Sequence, residues 1–447
     1  MELKINEGAL QILKRLEGAG FSAYVAGGAV RDLLMGRIPH DFDIATSARP
    51  EQVKLLFSHT ADTGLKFGTV TVIEHKVGYE VTTYRVDGAY IDGRRPETVS
   101  FVDDVKGDLS RRDFTVNAMA YSPTRGLVDY FGGQQDIRKK VIRCVGEPKK
   151  RFQEDALRML RAVRFCATLG FTLDADTEKA IRICAPLIRK VSPERIRDEM
   201  NKILLSPHPD MVRKLHELGL LSYIIKELET CFGVPQKNKY HIYDVGEHIM
   251  EAVKFAPNDL LLRWSALLHD IGKPNCSSTD ANGIIHFYGH HKESVKITVD
   301  VLHRLRFDNE SISAIATLVE NHDVRVEPSS PAVKRMMART GAELFEKLLL
   351  LQEADSRAKN PVYVPEKLER IETVRRIYQT VLAERQPYLI SDLVVNGRDL
   401  MKVGYRPGRE IGDTLKTLLD DVILNPELNT RDYLLKRAKL LKRKRTI

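Results

Sequence analysis

The sequence predicts an α+β protein in which a strand-rich N-terminal head precedes a long helical remainder. Three observations support this prediction. Short segments rich in β-branched and aromatic residues are confined to the first 145 residues. From residue 151 onward, apolar residues recur every three or four positions, which is typical of amphipathic helices. Most of the histidines lie in one later part of the chain, between residues 240 and 326.

The head, residues 1–145, contains the predicted strands. Each strand segment is short and is bounded by Gly, Pro or Asp, the residues that commonly end strands. The segments are YVAGG, FDIAT, GTVTVIEH, YEVTTYR and TVSFV.

Three helical regions follow the head. A neck and body spans residues 146–230 and includes EDALRMLRAVRFCATLG, where Gly170 supplies a stop signal. The turn-forming segment CFGVPQKNKYH opens the next region, residues 231–328. A second turn-forming segment, EPSSP, precedes the last region, residues 329–447. The sequence therefore predicts four domains.

The composition is that of an ordinary soluble globular protein. Of 447 residues, 43% are hydrophobic and 29% are charged. The sequence has no long apolar run and begins with the polar segment MELKINEGAL, so we expect neither a membrane span nor a signal peptide. The five cysteines form no CxxC pair, which favours reduced thiols and a cytoplasmic location.

Positive charge is concentrated at the C-terminal end. The chain has 70 Lys and Arg against 61 Asp and Glu, a net charge of +9. From Leu434 the chain reads LLKRAKLLKRKRTI, with seven basic residues and no acid. Such a run is either a solvated tail or a surface that binds nucleic-acid phosphates. Charge alone leaves both interpretations open.

A glycine pair ends the first predicted strand, in YVAGGAVRD. Paired glycines permit a sharp turn and a close approach that a side chain would block. The short helix predicted to follow exposes free N–H groups at its first turn, with Arg31 beside them. The segment has the composition of a phosphate-binding turn, although the same pattern is common in purely structural turns.

Asp41 and Asp43 strengthen the functional interpretation. Residues i and i+2 of a strand share a face, which places their backbones roughly 7 Å apart. Two carboxylates at that range repel each other by about 2 kcal/mol at an effective dielectric constant near 20. A divalent cation removes this repulsion, and Mg²⁺ prefers carboxylates together with substrate phosphates.

Five motifs follow one another along the first half of the chain: GGAVRD with DFD, RRDFTVNAMAY (111–121), DYFGGQQDI (129–137), RFQEDALRMLRAVRF (151–165) and SPERIRDEMNKIL (192–204). In this order they resemble the class II nucleotidyltransferases, the bacterial CCA-adding enzymes and poly(A) polymerases. The resemblance implies a polymerase-β-like head with a mixed β-sheet, an all-α neck and body that binds nucleotide and RNA, and a helical tail that binds tRNA.

The resemblance also implies roles for individual residues. Asp41 and Asp43 would be catalytic and would hold Mg²⁺. Gly28 and Arg31 would bind the nucleotide phosphates, and Arg112 of RRDF would contact ribose or phosphate.

Two further carboxylates are candidates for this site. Asp113 of RRDF would assist in sugar recognition, and Glu80 in YEVTTYR would serve as a third carboxylate. The alternative for Glu80 is an exposed strand residue without a role in the reaction.

The EDALR segment is expected to read the base. We expect Asp155 and Arg158, at i and i+3 on a helix, to act as neighbours. A carboxylate accepts from the amino group of cytosine or adenine and an arginine donates to the adjacent ring nitrogen, whereas uracil and guanine present a carbonyl there. The alternative is a surface ion pair. By resemblance, Arg161 and Arg164 would help to hold the nucleotide.

The segment YRVDGAYIDGRRPETVSFVDD (84–104) is polar and rich in turn formers, which predicts a mobile loop. In the family that it resembles, a loop here is associated with switching from C to A addition. Its presence favours an enzyme that adds A over a CC-only enzyme, but A-adding relatives can also keep the loop.

The histidine-bearing region predicts a second metal site. Its segments YDVGEHIMEAV, ALLHDIGKP, FYGHHKE and VENHD resemble the HD phosphohydrolase superfamily. The adjacent His and Asp can both reach one metal ion. We expect a divalent transition metal to be held by His248, His269, Asp270, His290 and Asp323.

Other histidines of this region have less clear roles. Full use of His322 would require a second metal. For His241, His286 and His291 we expect ordinary structural hydrogen bonds. The expected chemistry is attack of a metal-activated hydroxide on a phosphate ester, and a purely structural role remains an alternative.

The leading hypothesis is a template-independent nucleotidyltransferase that builds or repairs the 3′-CCA end of tRNA from CTP and ATP, releasing pyrophosphate. We expect no stable protein partner. Alternatives within the family are an A-adding enzyme, a CC-adding enzyme and a poly(A) polymerase. Two alternatives lie outside this class: chiefly an HD phosphohydrolase, or a noncatalytic tRNA-binding protein, against which Asp41 and Asp43 argue.

Overall fold

The structure is a computed structural model that describes residues 3–88 and 98–445. Its contacts divide the chain into an N-terminal unit, Met1–Lys226, and a C-terminal unit, Glu227–Ile447. Strands concentrate in the first unit and helices dominate the second, so the predicted α+β class is confirmed.

The sheet of the head is mixed, as expected. Its seven strands lie in the order β3-β4-β5-β2-β1-β8-β9, in which β2 and β5 are parallel and the other neighbours are antiparallel. The strands of the N-terminal unit are β1 (Ala23–Ala26), β2 (Asp43–Thr46), β3 (Thr60–Gly64), β4 (Thr69–Glu74), β5 (Val77–Thr83), β6 (Arg85–Asp87), β7 (Val99–Phe101), β8 (Ala120–Ser122), β9 (Gly126–Val128), β10 (Val141–Ile142) and β11 (Thr172–Leu173).

All five predicted strand segments form strands, as β1, β2, β4, β5 and β7. The sequence analysis missed β3, because its residues, TADTG, are small and polar and carry no alternating apolar pattern. It also missed β8 and β9, each only three residues long.

Helices of the N-terminal unit cover the sheet and form the neck and body. They are α1 (Glu7–Gly18), α2 (Gly28–Leu34), α3 (Pro50–Leu56), α4 (Val105–Ser110), α5 (Gly133–Lys139), α6 (Pro148–Glu154), α7 (Leu157–Leu169), α8 (Ala175–Cys184), α9 (Pro193–Leu204), α10 (Val212–Glu217) and α11 (Leu221–Ile224). A short helix, α12 (Lys226–Glu229), lies at the boundary between the units.

The core of the head joins α1 to the sheet. The N-cap Asn6 accepts a hydrogen bond from the Ala9 N–H and starts the helix. Ile12 and Leu16 on its apolar face are fully buried with Val72 and Val81 of the sheet. This packing fixes β1, which leads into the predicted phosphate turn, and β2, which begins at Asp43. Asp41 precedes the strand, so the expectation that both carboxylates lie on one strand is wrong.

The C-terminal unit is built almost entirely of helices. They are α13 (Val245–Phe255), α14 (Leu260–Leu268), α15 (His290–Arg304), α16 (Asn309–Asn321), α17 (Ser330–Thr340), α18 (Ala342–Arg357), α19 (Val364–Ala383), α20 (Gly397–Lys402), α21 (Arg409–Leu424) and α22 (Arg431–Arg445). Two short strands, β12 (Ser278–Thr279) and β13 (Ile285–His286), form a hairpin.

The basic C-terminal segment forms a helix with one buried face over its described residues. Leu434 and Ala438 of α22 are fully buried in a cluster that includes Leu418 and Val422 of α21. The Tyr405 hydroxyl donates to the Ala438 carbonyl over 2.7 Å. Apolar residues spaced by four place one face of the helix in a core, and Lys436 and Lys439 on the other side are exposed.

Within the described residues, no helix combines the length and the apolar character needed to cross a membrane.

Candidate active site and metal centre

A cavity of about 670 Å³ in the N-terminal unit contains every residue that the sequence analysis placed at the nucleotidyltransferase site. Its walls include Gly28, Arg31, Asp41, Asp43, Arg112, Asp155, Arg158, Arg161 and Arg164, together with the further candidates Glu80 and Asp113. The cavity therefore combines an acidic wall from the head with a basic wall that extends into the body.

The acidic wall lies where β2 and β5 run side by side. Asp43 begins β2, and the register that pairs Ile44 with Val81 sets Asp43 beside Glu80. The pKa of Asp43 is raised by burial and by the charges of Asp41 and Glu80, while Arg112 opposes the shift. Such a concentration of carboxylates around one strand end is costly without a cation, and the donor set suits Mg²⁺.

Arg112 reaches this wall through a close approach to the glycine turn. A Cβ atom on Gly27 would lie 2.5 Å from Arg112 Nη1, and the φ of Gly27 is +80°. The positive φ favours glycine, and a Cβ atom here would displace the Arg112 guanidinium from its position beside the turn. The Nε of Arg112 is buried, and none of the described residues accepts a hydrogen bond from it.

Asp108 orients the two arginines of the RRDF motif. This carboxylate is 1% exposed, and it accepts from Arg111 Nη2 over 2.7 Å and from Arg112 Nη2 over 3.4 Å. The sequence analysis did not single out Asp108. Its position one helical turn before the two arginines was the available signal.

Arg31 lies at the floor of the cavity. It forms an ion pair with Asp32 over 2.8 Å and donates to Asn117 Oδ1 over 2.6 Å. Its guanidinium carbon lies 5.4 Å from the centre of the Phe165 ring. These contacts hold the charge beside Gly28, where a phosphate group was expected.

The expectation that Asp155 and Arg158 lie at i and i+3 on one helix is wrong. Helix α6 ends at Glu154, and Asp155 has an extended backbone with φ −148° and ψ 105°. Helix α7 begins only at Leu157. The break arises because the Asp155 carboxylate accepts from the Leu157 N–H, over 3.0 Å, and thereby starts a new helix.

Asp155 and Arg158 have different partners in this structure. Asp155 pairs with Arg195 of α9 over 2.7 Å. Arg158 pairs with Glu154 over 2.5 Å and donates to the Arg111 carbonyl over 3.3 Å. Both side chains line the cavity, but each is held by its own partner.

Arg161 and Arg164 are held by buried carboxylates. Arg161 lies 2.7 Å from Asp113, and its positive charge outweighs the effect of burial and lowers the pKa of that carboxyl. Arg164 lies 2.6 Å from Glu199. Arg164 also stacks on Phe165, 3.9 Å from the ring centre. Fixed in this way, the two guanidinium groups form a rigid basic wall.

The predicted loop at 84–104 is described only at its ends. Strands β6 and β7 pair with each other, Arg85 opposite Phe101, and form its base. Residues 89–97 lie outside the described residues.

The C-terminal unit contains two groups of metal-ligating side chains that share one carboxylate. Within each group, ligand atoms lie within 4.8 Å of one another. The first group is His248, His269, Asp270 and Asp355, and the second is Asp270, His290 and His322. All are buried. Asp270 belongs to both groups.

The histidine ring nitrogens show which atoms face the centre. Each Nδ1 lies beside a backbone carbonyl, at 3.2 Å for His248, 2.7 Å for His269, 2.9 Å for His290 and 2.6 Å for His322. A carbonyl only accepts, so Nδ1 carries the proton and Nε2 presents a lone pair in the neutral ring. The Nε2 atoms then face one another, at 3.3 Å between His248 and His269. The Nε2 atoms of the first group lie within 4.8 Å of the carboxylate oxygens of Asp270 and Asp355, so the donors fit a metal.

Asp355 takes the place that was expected for Asp323. Asp355, on α18, lies 3.0 Å from His248 Nε2. Asp323 is exposed and lines the neighbouring cavity, but it belongs to neither ligand group. Asp355 was detectable in the sequence, because it lies on the apolar face of α18, seven residues after Leu348.

Charges at the centre favour ionised carboxylates. Burial alone would raise the pKa of Asp270, but His269 and Lys273 hold it well below the usual value. Burial lowers the pKa of His269, yet Asp270 and Asp355 outweigh it and raise that pKa to about 9. Lys359 lies 2.5 Å from Asp355.

Family comparisons agree with this arrangement. The chain matches a poly A polymerase head domain over residues 23–143, a probable RNA and SrmB binding site of polymerase A over residues 170–232, and an HD domain over residues 239–360. The HD match extends past the boundary expected at residue 328 and includes α18, which carries Asp355.

Comparisons with individual proteins cover most of the chain. It is 35% identical over 435 residues to the CCA-adding enzyme of Leuconostoc mesenteroides, covering 96% of this chain and 95% of that enzyme. It is 52% identical over 268 residues to the CCA-adding enzyme of Geobacillus thermodenitrificans, covering 59% and 63%. Among solved structures, it resembles the Bacillus stearothermophilus CCA-adding enzyme in complex with CTP, with a TM-score of 0.75, 30% identity and 98% of each chain covered.

Proposed function

The chain belongs to the family of CCA-adding enzymes, and we propose that the cavity of its N-terminal unit is the site where CMP and AMP, from CTP and ATP, are added to the 3′ end of tRNA. The observation that carries this proposal is the meeting of three carboxylates and a rigid basic wall in one cavity. The RNA 3′-hydroxyl attacks the α-phosphate of the nucleotide, and pyrophosphate leaves.

Asp41 and Asp43 would hold Mg²⁺, with Glu80 beside them as a third carboxylate. When bound there, the ion neutralises phosphate charge and lowers the pKa of the attacking hydroxyl. Arg31 and Arg112 bind the phosphates and ribose beside the glycine turn, where a side chain on Gly27 would block the approach. A nucleotide ligand would also accept the hydrogen bond of the buried Arg112 Nε.

The base lies against the body of the unit in this proposal. Asp155, held by Arg195, accepts from the amino group of cytosine or adenine, and Arg158 donates to the ring nitrogen beside it. The side chains then act together on the base although they do not pair with each other. Arg161 and Arg164 flank the nucleotide from positions fixed by Asp113 and Glu199.

A product gel tests the proposal. The protein is incubated with Mg²⁺ and a tRNA that ends at the discriminator base, with CTP, with ATP, or with both, and a second tRNA that ends in CC is tested in parallel. We expect two additions with CTP alone and three with both nucleotides. A single A on a CC-ended tRNA only, two C residues only, or a long A tract would each contradict full CCA addition and identify the corresponding relative.

The ligand groups of the C-terminal unit favour a second candidate function, a metal-dependent phosphohydrolase. His248, His269, Asp270 and Asp355 would hold one divalent ion, and Asp270, His290 and His322 a second. When bound, such ions supply a hydroxide nucleophile near neutral pH. Lys273 and Lys359, which line the adjacent cavity, attract the phosphate of the substrate.

Metal analysis together with hydrolysis assays tests this second function. We expect the purified protein to bind a divalent transition metal and to hydrolyse phosphate esters of nucleotides. The double change His269→Ala with Asp270→Ala removes both properties and leaves CCA addition intact. Unchanged metal content in the double variant would contradict the site.

A further inference from the structure

The hairpin formed by β12 and β13 borders the metal centre of the C-terminal unit. Residues 285–291 line the cavity of about 360 Å³ beside the ligand groups, and they include the ligand His290. Tyr288 precedes His290 by two positions, so their Cα atoms are at most about 7 Å apart. The aromatic residue Tyr288 therefore lies close to the place where a phosphate would be bound.

Tyr288 is exposed, but it is not isolated. Its side chain is 76% exposed, and its ring is stacked on the His286 ring with centres 5.1 Å apart and an angle of 10° between the planes. The rings at the metal centre meet differently, since His290 and His322 are edge to face at 68°. The stacked pair thus presents a flat surface at the mouth of the cavity.

The His286 ring of this pair is held in place by a tight turn. His286 Nε2 lies 3.0 Å from Asp280 Oδ2. Asp280 Oδ1 also accepts from the N–H groups of Asn282, over 2.9 Å, and Ile284, over 3.0 Å. The same carboxylate therefore shapes the turn and orients the imidazole, so the platform is preorganised.

The lining of the cavity also carries positive charge. Lys273 lies 2.6 Å from Asp270, and its ammonium is 5.4 Å from the centre of the Phe287 ring. Lys359 lines the same cavity. A ligand that satisfies both features needs a negatively charged group at the lysines and the metal ligands, and a planar aromatic group at the mouth.

We propose that the stacked pair of His286 and Tyr288 is a binding platform for the base of a nucleotide whose phosphate lies at the metal centre. The ligand is a nucleoside phosphate, either free or at the end of an RNA strand. This inference rests on the proposed phosphohydrolase site, to which it adds the two residues that hold the base of the substrate. Base stacking on an aromatic side chain tolerates different bases, so the platform selects for a base and not for its identity.

The direct test places a fluorophore on the platform. The change Tyr288→Trp keeps a stacking surface, and the natural Trp264 is fully buried and supplies a constant background. Titration of the full-length protein, as purified, with AMP is expected to quench the introduced indole, whereas titration with ribose 5-phosphate, which lacks the base, is expected to leave it unchanged. A short RNA with a 3′-terminal phosphate forms the third arm and distinguishes a strand end from a free nucleotide. Equal responses to AMP and ribose 5-phosphate would overturn the proposal.

A second measurement uses the loss of the ring. AMP binding is measured by calorimetry for the wild type and for Tyr288→Ala. Any AMP bound by the N-terminal unit contributes equally to both proteins, so the difference between their affinities reports on the platform. We expect affinity at the C-terminal site to fall by about 5- to 100-fold in the variant. The control Phe255→Ala removes an aromatic ring that is 44% exposed on α13 and lies outside the cavity lining. Equal AMP affinity in Tyr288→Ala and the wild type would refute the platform.

The outcomes separate this inference from the phosphohydrolase proposal. If AMP quenches the indole but the protein binds no transition metal, the result supports the platform and contradicts the proposed metal centre. Metal binding without base-dependent quenching retains the centre and contradicts the platform.

Discussion

Arg195 binds both carboxylate oxygens of Asp155, with Nη2 2.7 Å from Oδ2 and Nη1 3.3 Å from Oδ1. The two residues come from different motifs, forty positions apart. The pairing orients a carboxylate that is not part of a regular helix, and it explains how Asp155 keeps a defined direction at the break between α6 and α7.

We expect Arg195→Ala to reduce base selectivity as well as the rate of addition, because Asp155 loses the partner that orients it. Each base contact is worth about 1 to 3 kcal/mol, so the preference for C and A over U and G should fall by about 5- to 100-fold. Single-nucleotide addition from each of the four triphosphates measures this preference. Arg197→Ala is the matched control, since Arg197 lies on the same helix and pairs with its neighbour Asp198. A slower enzyme with unchanged selectivity would assign Arg195 to stability alone.

Asp41→Ala and Asp43→Ala should each abolish nucleotide addition while tRNA affinity changes little. The reason is that the proposed ions act on the reacting groups and not on the body of the RNA. Addition assays and filter binding measure the two properties separately. Asp62→Ala removes an exposed carboxylate of β3 that pairs with Lys54, and it should leave both unchanged. Addition above a few per cent of wild type in either active-site variant would argue against the assignment.

The structure predicts opposite outcomes for two aspartates of the C-terminal unit. Asp355→Asn should lower the bound transition metal substantially, because Asp355 belongs to the first ligand group. Asp323→Asn should retain the metal, because Asp323 lies in the cavity wall outside both groups. Elemental analysis of the purified proteins checks this. The reverse result would restore the assignment made from the sequence.

Metal binding should release protons. In the metal-free protein the pKa of His269 is raised to about 9 by Asp270 and Asp355 against the effect of burial, so the ring is protonated at pH 7. A metal ion must displace that proton, and the apparent affinity should therefore increase with pH until about 9. Calorimetry in two buffers with different ionisation enthalpies counts the released protons. Binding heats that do not depend on the buffer would contradict this prediction.

The exposed face of α22 should contribute to tRNA binding. Lys436 and Lys439 are exposed, and each phosphate contact adds roughly 0.9 to the log–log salt dependence on duplex nucleic acid. Lys436→Gln with Lys439→Gln should therefore weaken binding and flatten this dependence without unfolding the helix. By contrast, Leu434→Ala should destabilise the C-terminal cluster by about 2 to 5 kcal/mol, since Leu434 is fully buried. An unchanged salt dependence in the double variant would exclude α22 as a phosphate contact.

The residues that could be predicted from sequence are those whose neighbours lie close along the chain. The glycine turn with Arg31, the Asp41–Asp43 pair and the His269–Asp270 doublet each depend on short spacings, and the members of each lie close together, although only Asp43 of the acidic pair belongs to β2. The proximity of Asp355 to His248 could not be predicted from a short spacing, because more than a hundred residues separate them.

The break at Asp155 was missed for a different reason. The EDALR segment has good helix propensity throughout, and only the competition of one carboxylate for the Leu157 N–H interrupts it. Arg195 and Asp108 were missed because nothing in a local pattern shows which of many charged residues will face the cavity.

The histidines of the metal centre have a further consequence for how this site tolerates mutation. His269, His290 and His322 each direct Nδ1 to the backbone carbonyl of the residue three positions earlier, Ala266, Phe287 and Val319. Every amino acid supplies that carbonyl, so no side-chain replacement at these three positions deletes the group that fixes the tautomer. The contacts that orient these histidines thus depend on the backbone conformation and not on the identity of the neighbouring side chains. In a lineage that accumulates neutral substitutions, they should persist for as long as the helix ends themselves.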